Sequence, residues 1–255
     1  MAKHDGRFIW RETMTQDAGK TKAFYGGLFG WSFEDRPMGE MGTYTIIHRE
    51  KGDAMGIGGI MQAGPQQKQI PTHWVSYASV PSVDASIAAA KANGGDAHWG
   101  PMDVPNVGRM AGIMAFDKAM LAVMTPEGPD QAPPARPPVG AFCWETLSTS
   151  DVDRAKKFWT AVCPWKASTG AGMPTFSVGE GMENQVADIQ TAQGPVPPNW
   201  LTFVVVEKIE PSCDKAGALG GKVMMPAMAV PGIGRIAVIL DPLGAALGLF
   251  EPGGI

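Results

Sequence analysis

The sequence is short of cysteine, of excess positive charge and of long hydrophobic runs, and each shortage argues against a class of protein. Its 3 cysteines in 255 residues form no Cys-x-x-Cys pair and no even disulfide framework. We therefore expect a reduced, cytoplasmic protein. Lys and Arg total 21 against 25 Asp and Glu. A nucleic-acid surface normally needs a basic excess, so no nucleic-acid partner is expected.

The hydrophobic segments are too short to predict a membrane partner. Runs such as Ile236–Leu240 fall far below the roughly 20 apolar residues that a spanning helix requires. The first residues, Met-Ala-Lys-His-Asp-Gly, also lack the apolar core of a secretory signal. The sequence therefore predicts a folded protein that contacts neither nucleic acid nor membrane.

An internal repeat is the strongest feature of the sequence. The segment Gly6–Trp10 returns 134 residues later as Gly140–Trp144. Further along, Val104–Arg109 returns 126 residues later as Val230–Arg235. The offset between the copies changes only once, from 134 to 126 residues, and is constant on either side of that change. The chain is therefore a duplication whose second copy is shorter in its middle.

The repeat predicts two domains joined by a stiff connection. We place the first domain at residues 1–126, a proline-rich linker at 127–139 and the second domain at 140–255. Proline fixes the backbone φ angle and removes a donor, so such a run is semi-rigid. Within each copy, a strand, a helix and about three strands occur twice. This order predicts an α+β protein of tandem βαβββ units, with helices outside curved mixed sheets.

Three short motifs carry a resemblance to a known family. The run Trp10–Asp17 and the aromatic and glycine element Phe24–Trp31 resemble the opening of the vicinal oxygen chelate superfamily. The turn Asp241–Gly244 resembles its terminal Asp-Pro-x-Gly turn. Glyoxalase I, bleomycin-resistance proteins and extradiol dioxygenases belong to this superfamily. The resemblance implies the glyoxalase/bleomycin resistance/dioxygenase fold over essentially the whole chain, but it does not identify the reaction.

The resemblance also implies where a metal would be held, and those positions lack ligands here. Each must offer a lone pair from an imidazole, a carboxylate or an amide. The residues at the six positions are Trp10, Val75, Ala122, Trp144, Leu201 and Gly248. None can coordinate a divalent cation. We therefore expect no cofactor, and a divalent metal only at a non-standard site.

Two ionisable residues leave a displaced site open. Side chains two apart in a strand share a face, so Glu12 faces with Trp10, and His73 faces with Val75. A Glu12/His73 pair would be able to bind a metal or act as acid and base. The second copy has Thr146 at the position of Glu12. A polar group that fixes the structure or a ligand is therefore the favoured interpretation, with catalytic residues unassigned.

These features lead to a first hypothesis and three alternatives. We expect a small-molecule-binding protein, monomeric or homodimeric, similar to the bleomycin-resistance branch. Its predicted ligand-binding residues are Trp10, Glu12, His73 and Tyr77 in one domain and Trp144, Thr146 and Phe203 in the other. The first alternative is a lyase or dioxygenase that acts on a small carbonyl or phenolic substrate. The second is that both Trp fill their cavities as core, and the third is that the duplication serves assembly alone.

Two arginines remain ambiguous in the sequence. Arg109 and Arg235 close matching Val-Pro-x-(Val/Ile)-Gly-Arg segments. An Arg that points into a cavity would hold a carboxylate or phosphate by two hydrogen bonds. An Arg on the rim of a strand is the commoner case.

Overall fold

Four βαβββ units follow one another along the chain. A computed structural model describes residues 6–39, 42–128 and 136–253. Its elements, in order, are β1 Phe8–Thr15, α1 Ala18–Phe29, β2 Ser32–Pro37, β3 Thr43–His48, β4 Gly58–Gln62, β5 His73–Ser79, α2 Val83–Ala92, β6 Asp96–Val104, β7 Gly108–Met114, β8 Met120–Pro126, β9 Phe142–Thr149, α3 Val152–Val162, β10 Lys166–Gly170, β11 Met173–Ser177, β12 Gln185–Thr191, β13 Asn199–Val205, α4 Ile209–Ala218, β14 Lys222–Val230, β15 Gly234–Leu240 and β16 Ala246–Pro252. The predicted order of elements is confirmed.

Each sequence repeat builds one mixed sheet of eight strands. The first sheet has the order β2-β3-β4-β1-β5-β8-β7-β6, and the second has the order β10-β11-β12-β9-β13-β16-β15-β14. In every βαβββ unit the first strand pairs in parallel with the last strand of the same unit. Hairpins supply the antiparallel pairs. The predicted α+β fold class is confirmed. The domain boundaries stay a prediction, and linker residues 129–135 lie outside the described residues.

The first helix of each repeat begins directly after an aspartate that caps it. The carboxylate of Asp17 accepts a hydrogen bond from the Lys20 amide at 3.0 Å, and Asp151 accepts one from Arg154 at 3.0 Å. Such side chains satisfy amides that the first helical turn leaves without partners. The first helix ends at Gly30, whose φ of 76° lies in the left-handed region that glycine adopts without strain.

The chain packs into two compact units, and each takes one half from each repeat. Unit 1 contains residues 6–9, 75–128 and 144–201, and unit 2 contains 10–39, 42–74, 136–143 and 202–253. Helices α2 and α3 lie in the core of unit 1, and α1 and α4 lie in the core of unit 2. Burial of apolar side chains around these helix pairs is the main stabilising contribution in each unit.

Aromatic residues of the first helices occupy the two cores. Tyr25 and Trp159 hold equivalent positions in the repeat, and both are fully buried. Trp200 is buried in the core of unit 1, and Trp74 packs against the core of unit 2. All four rings therefore contribute to the packing of the two cores. No helix in the described part of the chain is both long and apolar enough to span a bilayer.

A reciprocal contact explains the glycine that opens each repeat motif. In unit 1 the indole of Trp165 donates to the Gly6 carbonyl at 2.7 Å, and in unit 2 Trp31 donates to Gly140 at 2.8 Å. A Cβ at Gly6 would lie 2.6 Å from the Trp165 ring nitrogen. At Gly6 glycine is required because the ring lies directly against the backbone, and at Gly140 the φ of 82° favours glycine.

Candidate functional site

In unit 2, three side chains on β1 and β3 form a hydrogen-bonded chain. The Trp10 indole donates to the Tyr44 hydroxyl at 2.9 Å, and that hydroxyl donates to Glu12 Oε2 at 2.8 Å. Each group uses its natural donor or acceptor role, so the chain is internally consistent. The Tyr44 hydroxyl passes over Gly59, where a Cβ would lie only 2.0 Å from it. Gly59 on β4 therefore makes room for Tyr44.

In unit 1, a buried carboxylate takes the corresponding place. Asp188 Oδ1 accepts a hydrogen bond from Trp144 Nε1 and another from Thr146 Oγ1, both at 2.6 Å. Asp188 pairs with Thr146 across β12 and β9, as Gly59 pairs with Glu12 across β4 and β1. Asp188 is therefore the structural equivalent of Gly59. Its side chain contacts the Trp144 indole directly, whereas the Trp10 indole in unit 2 contacts Tyr44.

Burial perturbs this carboxyl group. Asp188 has 9% of its surface exposed, and burial raises the pKa of its carboxyl above the usual value. The hydrogen bonds from Thr146 and Trp144 lower that pKa in part, because they stabilise the charged form.

Neither Trp10 nor Trp144 belongs to a core. Both are only partly buried, whereas Trp159 is fully buried. Each indole is fixed through its N–H by a partner on the same sheet face. An amphipathic ring held in this way is suited to form the wall of a ligand site. This arrangement favours the ligand-binding interpretation over the core interpretation.

An aromatic ring adjoins the last predicted metal position of each repeat. In unit 2, Phe203 pairs with Gly248, and a Cβ on Gly248 would lie 2.2 Å from the Phe203 ring. In unit 1, Tyr77 pairs with Ala122 and is 5% exposed. The space beside the ligand positions is thus lined with hydrocarbon and aromatic groups.

Comparison with known proteins places this geometry in context. No protein-family model matches the sequence. CFP32 of Mycobacterium tuberculosis, a candidate glyoxylase, is 28% identical over 258 residues, which cover 95% of this chain and 94% of CFP32. The anthracycline biosynthesis protein DauV of Streptomyces sp. strain C5 is 28% identical over 261 residues, covering 96% and 93%.

Solved structures share the architecture at low sequence identity. The Mn(II)-bound glyoxalase of Novosphingobium aromaticivorans has a TM-score of 0.61 at 15% identity, covering 98% of this chain and 83% of its own. The chain has the vicinal oxygen chelate fold. The 2,3-dioxygenase LapB of Pseudomonas sp. KL28 has a TM-score of 0.63 at 10% identity, covering 97% and 92%. The predicted resemblance is confirmed.

The side chains at the six predicted metal positions of this chain do not fit a divalent metal ion. The Trp10 and Trp144 side chains present N–H donors, and the other four predicted positions carry Val, Ala, Leu and Gly. A metal requires lone pairs from several groups at once. Within the described residues, no three His, Cys, Asp or Glu side chains lie together as a possible metal site. Asp188 supplies a single carboxylate.

The two residues of the predicted acid-base pair hydrogen-bond to different partners. Glu12 accepts from Tyr44 at 2.8 Å, and His73 Nδ1 lies 2.7 Å from the Pro71 carbonyl oxygen. Among the described residues, no hydrogen bond or ion pair links Glu12 to His73. The predicted ligand residues also divide between the units: Trp10, Glu12, His73 and Phe203 belong to unit 2, and Tyr77, Trp144 and Thr146 to unit 1.

The two arginines pair with helix carboxylates. Arg109 donates to Asp84 at 2.9 and 3.1 Å and to Asp103 at 2.7 Å. Arg235 forms the equivalent pair with Glu210. Asp84 and Glu210 lie in the first turns of α2 and α4. Each arginine therefore bridges a strand to the start of a helix, which agrees with the rim interpretation.

Tyr44 and Asp188 were missed by the sequence analysis. Asp188 had one available signal, because it is a charged residue inside the otherwise apolar strand segment Val186–Ile189. Tyr44 had none, since its role depends on the missing side chain of Gly59. The change of register between the two copies falls in this region and hides the equivalence.

Proposed function

We propose that this protein binds a small organic molecule without a metal ion at the family's standard position. The observation that carries the proposal is the replacement of lone-pair donors by two anchored indoles. Trp10 and Trp144 occupy predicted metal positions, and each is held by a hydrogen bond within its own unit. A mostly apolar site with a few fixed polar groups is typical of small-molecule binding.

The named relatives support the same class of function. CFP32 is a candidate glyoxylase and DauV is an anthracycline biosynthesis protein, so both names refer to small-molecule chemistry. We extend this class to the present chain as part of the proposal. The partner is then a small organic ligand, the protein is a monomer or homodimer, and its location is cytoplasmic.

A metal determination tests the first half of the proposal. The full-length protein is purified without chelators and analysed for Zn, Ni, Fe and Mn. We expect far less than one metal ion per chain, because the predicted positions provide no lone pairs. One tightly bound transition metal per chain would overturn the proposal and favour the lyase or dioxygenase alternative.

Ligand-induced quenching of tryptophan fluorescence tests the second half. Compounds that raise the melting temperature of the wild-type protein are titrated into Trp10→Phe, Trp144→Phe and a control, Trp200→Phe. Trp200 is a core residue whose Nε1 has no hydrogen-bond partner within the described residues. We expect the ligand-induced signal to fall in at least one site variant and to persist in the control. An unchanged signal in both site variants contradicts the proposal.

A further inference from the structure

In unit 1, a row of polar side chains crosses four strands on the face that carries Trp144. Ser168, Thr175, Asp188 and Thr146 are successive partners across β10, β11, β12 and β9. Ser168 Oγ and Thr175 Oγ1 lie 2.7 Å apart, so one donates to the other. Thr175, Asp188 and Thr146 are buried. Buried polar groups are costly unless they are hydrogen-bonded.

One atom of this row is left for an outside partner. Both donors to Asp188 bond the same oxygen, Oδ1. Among the described residues, no other side chain donates to Asp188 Oδ2, and the further hydrogen bond to this carboxyl comes from the amide of Asp188 itself. Asp188 keeps 9% of its surface exposed, so the side chain is not completely enclosed. A side chain that is nine-tenths buried thus presents an oxygen that receives no hydrogen bond from another described side chain, beside a partly exposed indole.

We infer that Asp188 is the polar anchor of a ligand site in unit 1 that takes an aromatic compound carrying a hydroxyl group. The hydroxyl would donate to Asp188 Oδ2 while the aromatic ring packs against Trp144. This inference rests on the proposed function and names the class of ligand for one of its sites. Gly59 holds the equivalent position in unit 2, so the first repeat offers no such acceptor from that position.

Asparagine at position 188 tests the inference with little change in shape. Its amide oxygen replaces Oδ1 and keeps the hydrogen bonds from Trp144 and Thr146. Its amide nitrogen then replaces Oδ2, which turns the acceptor into a donor. A ligand hydroxyl that donates to Oδ2 in the wild type would face an N–H donor in the variant. Two donors that face each other weaken binding, so the variant should lose its preference for the hydroxyl compound over an otherwise similar one.

The probes are 2-naphthol and its methyl ether, measured by isothermal titration calorimetry with the full-length protein. We expect the wild type to bind 2-naphthol about tenfold more tightly than the ether, the difference that about 1.4 kcal/mol produces. In Asp188→Asn the ratio should fall to about one. The matched control, Asp153→Asn on the exposed surface of α3, should keep the wild-type ratio. Circular dichroism establishes that each variant is folded.

The outcomes separate this inference from the proposed function. Equal binding of both probes by the wild type, or an unchanged ratio in Asp188→Asn, overturns the role of Asp188 while small-molecule binding stands. Failure of both probes to bind also overturns it, and the fluorescence titrations then decide the proposed function independently. A ratio that falls in Asp153→Asn as much as in Asp188→Asn also overturns the inference, because the loss is then not specific to Asp188.

Discussion

The sheet face of β1 in unit 2 and that of β9 in unit 1 descend from one duplicated segment, yet they hold their tryptophans differently. In unit 2, Tyr44 reaches over Gly59 and links Trp10 to Glu12 through a neutral hydroxyl. In unit 1, Asp188 itself contacts Trp144. The position of the indole is preserved, while the chemistry beside it changes from a phenol to a buried carboxyl.

This difference shows that the two copies share a scaffold and differ in polarity. The partner row in unit 2 runs through Glu34, Ile46, Gly59 and Glu12, whereas the row in unit 1 is continuous in hydroxyl and carboxyl groups. Binding specificity depends on a few fixed polar groups in an apolar site. The two copies are therefore expected to bind different molecules.

Adding a methyl group at Gly59 is expected to disturb the unit 2 face most strongly. The new Cβ would lie 2.0 Å from the Tyr44 hydroxyl, so the ring must move and its hydrogen bonds with Trp10 and Glu12 are lost. Overpacking and lost hydrogen bonds together predict a loss of about 3 kcal/mol in the free energy of unfolding.

Urea denaturation of Gly59→Ala measures this loss. The control is Gly64→Ala, where the added Cβ would meet only Gln67 Oε1 at 3.7 Å. In a Tyr44→Ala background, Gly59→Ala should cost much less, because contacting residues are not additive. An equal cost in both backgrounds would contradict the steric role of Gly59.

Replacing each tryptophan by phenylalanine compares the two faces directly. Trp144→Phe removes a donor from a buried carboxyl, and Trp10→Phe removes one from a hydroxyl. Hydrogen bonds to charged groups contribute more, so we expect losses of about 2 kcal/mol and about 1 kcal/mol in the free energy of unfolding. Urea denaturation of both variants at neutral pH provides the measurement. A larger loss for Trp10→Phe would reverse the comparison.

The smallest expected effect is the pH dependence that Asp188→Asn removes. Burial raises the pKa of Asp188 in the folded state, so the folded state binds more protons than the unfolded state between the usual and the raised pKa. The wild type therefore loses stability as pH rises through that acidic window. Asp188→Asn lacks this loss, so its free energy of unfolding should rise relative to that of the wild type as pH increases. The rise should be smaller than the change in the free energy of unfolding that Trp144→Phe causes.

Denaturation curves collected across the acidic range test this sign. The Asp241 carboxyl in unit 2 also has a raised pKa, mainly through burial. It is present in both proteins and cancels in the difference. A stability difference that stays constant through the acidic window would show that Asp188 titrates normally.

Much of the fold was predictable because local patterns specify it. Asp17 and Asp151 mark helix starts through side chains that cap backbone amides three residues away. The order of strands and helices follows from patterns of a few residues, and the repeat multiplies each signal. The division into two units was not predictable, because it depends on how helices from different repeats pack together.

The sequence by itself determined that the predicted metal positions hold no lone pairs, since the residue at a numbered position is a chemical fact. It also determined that Trp10 and Trp144 are equivalent, because one offset relates them. Only the tertiary structure decided that Asp188 and Gly59 hold equivalent strand positions. It also decided that Tyr44 lies over Gly59 and links Trp10 to Glu12. Strand register sets these contacts over intervals of about 40 residues, and no local pattern encodes such a register.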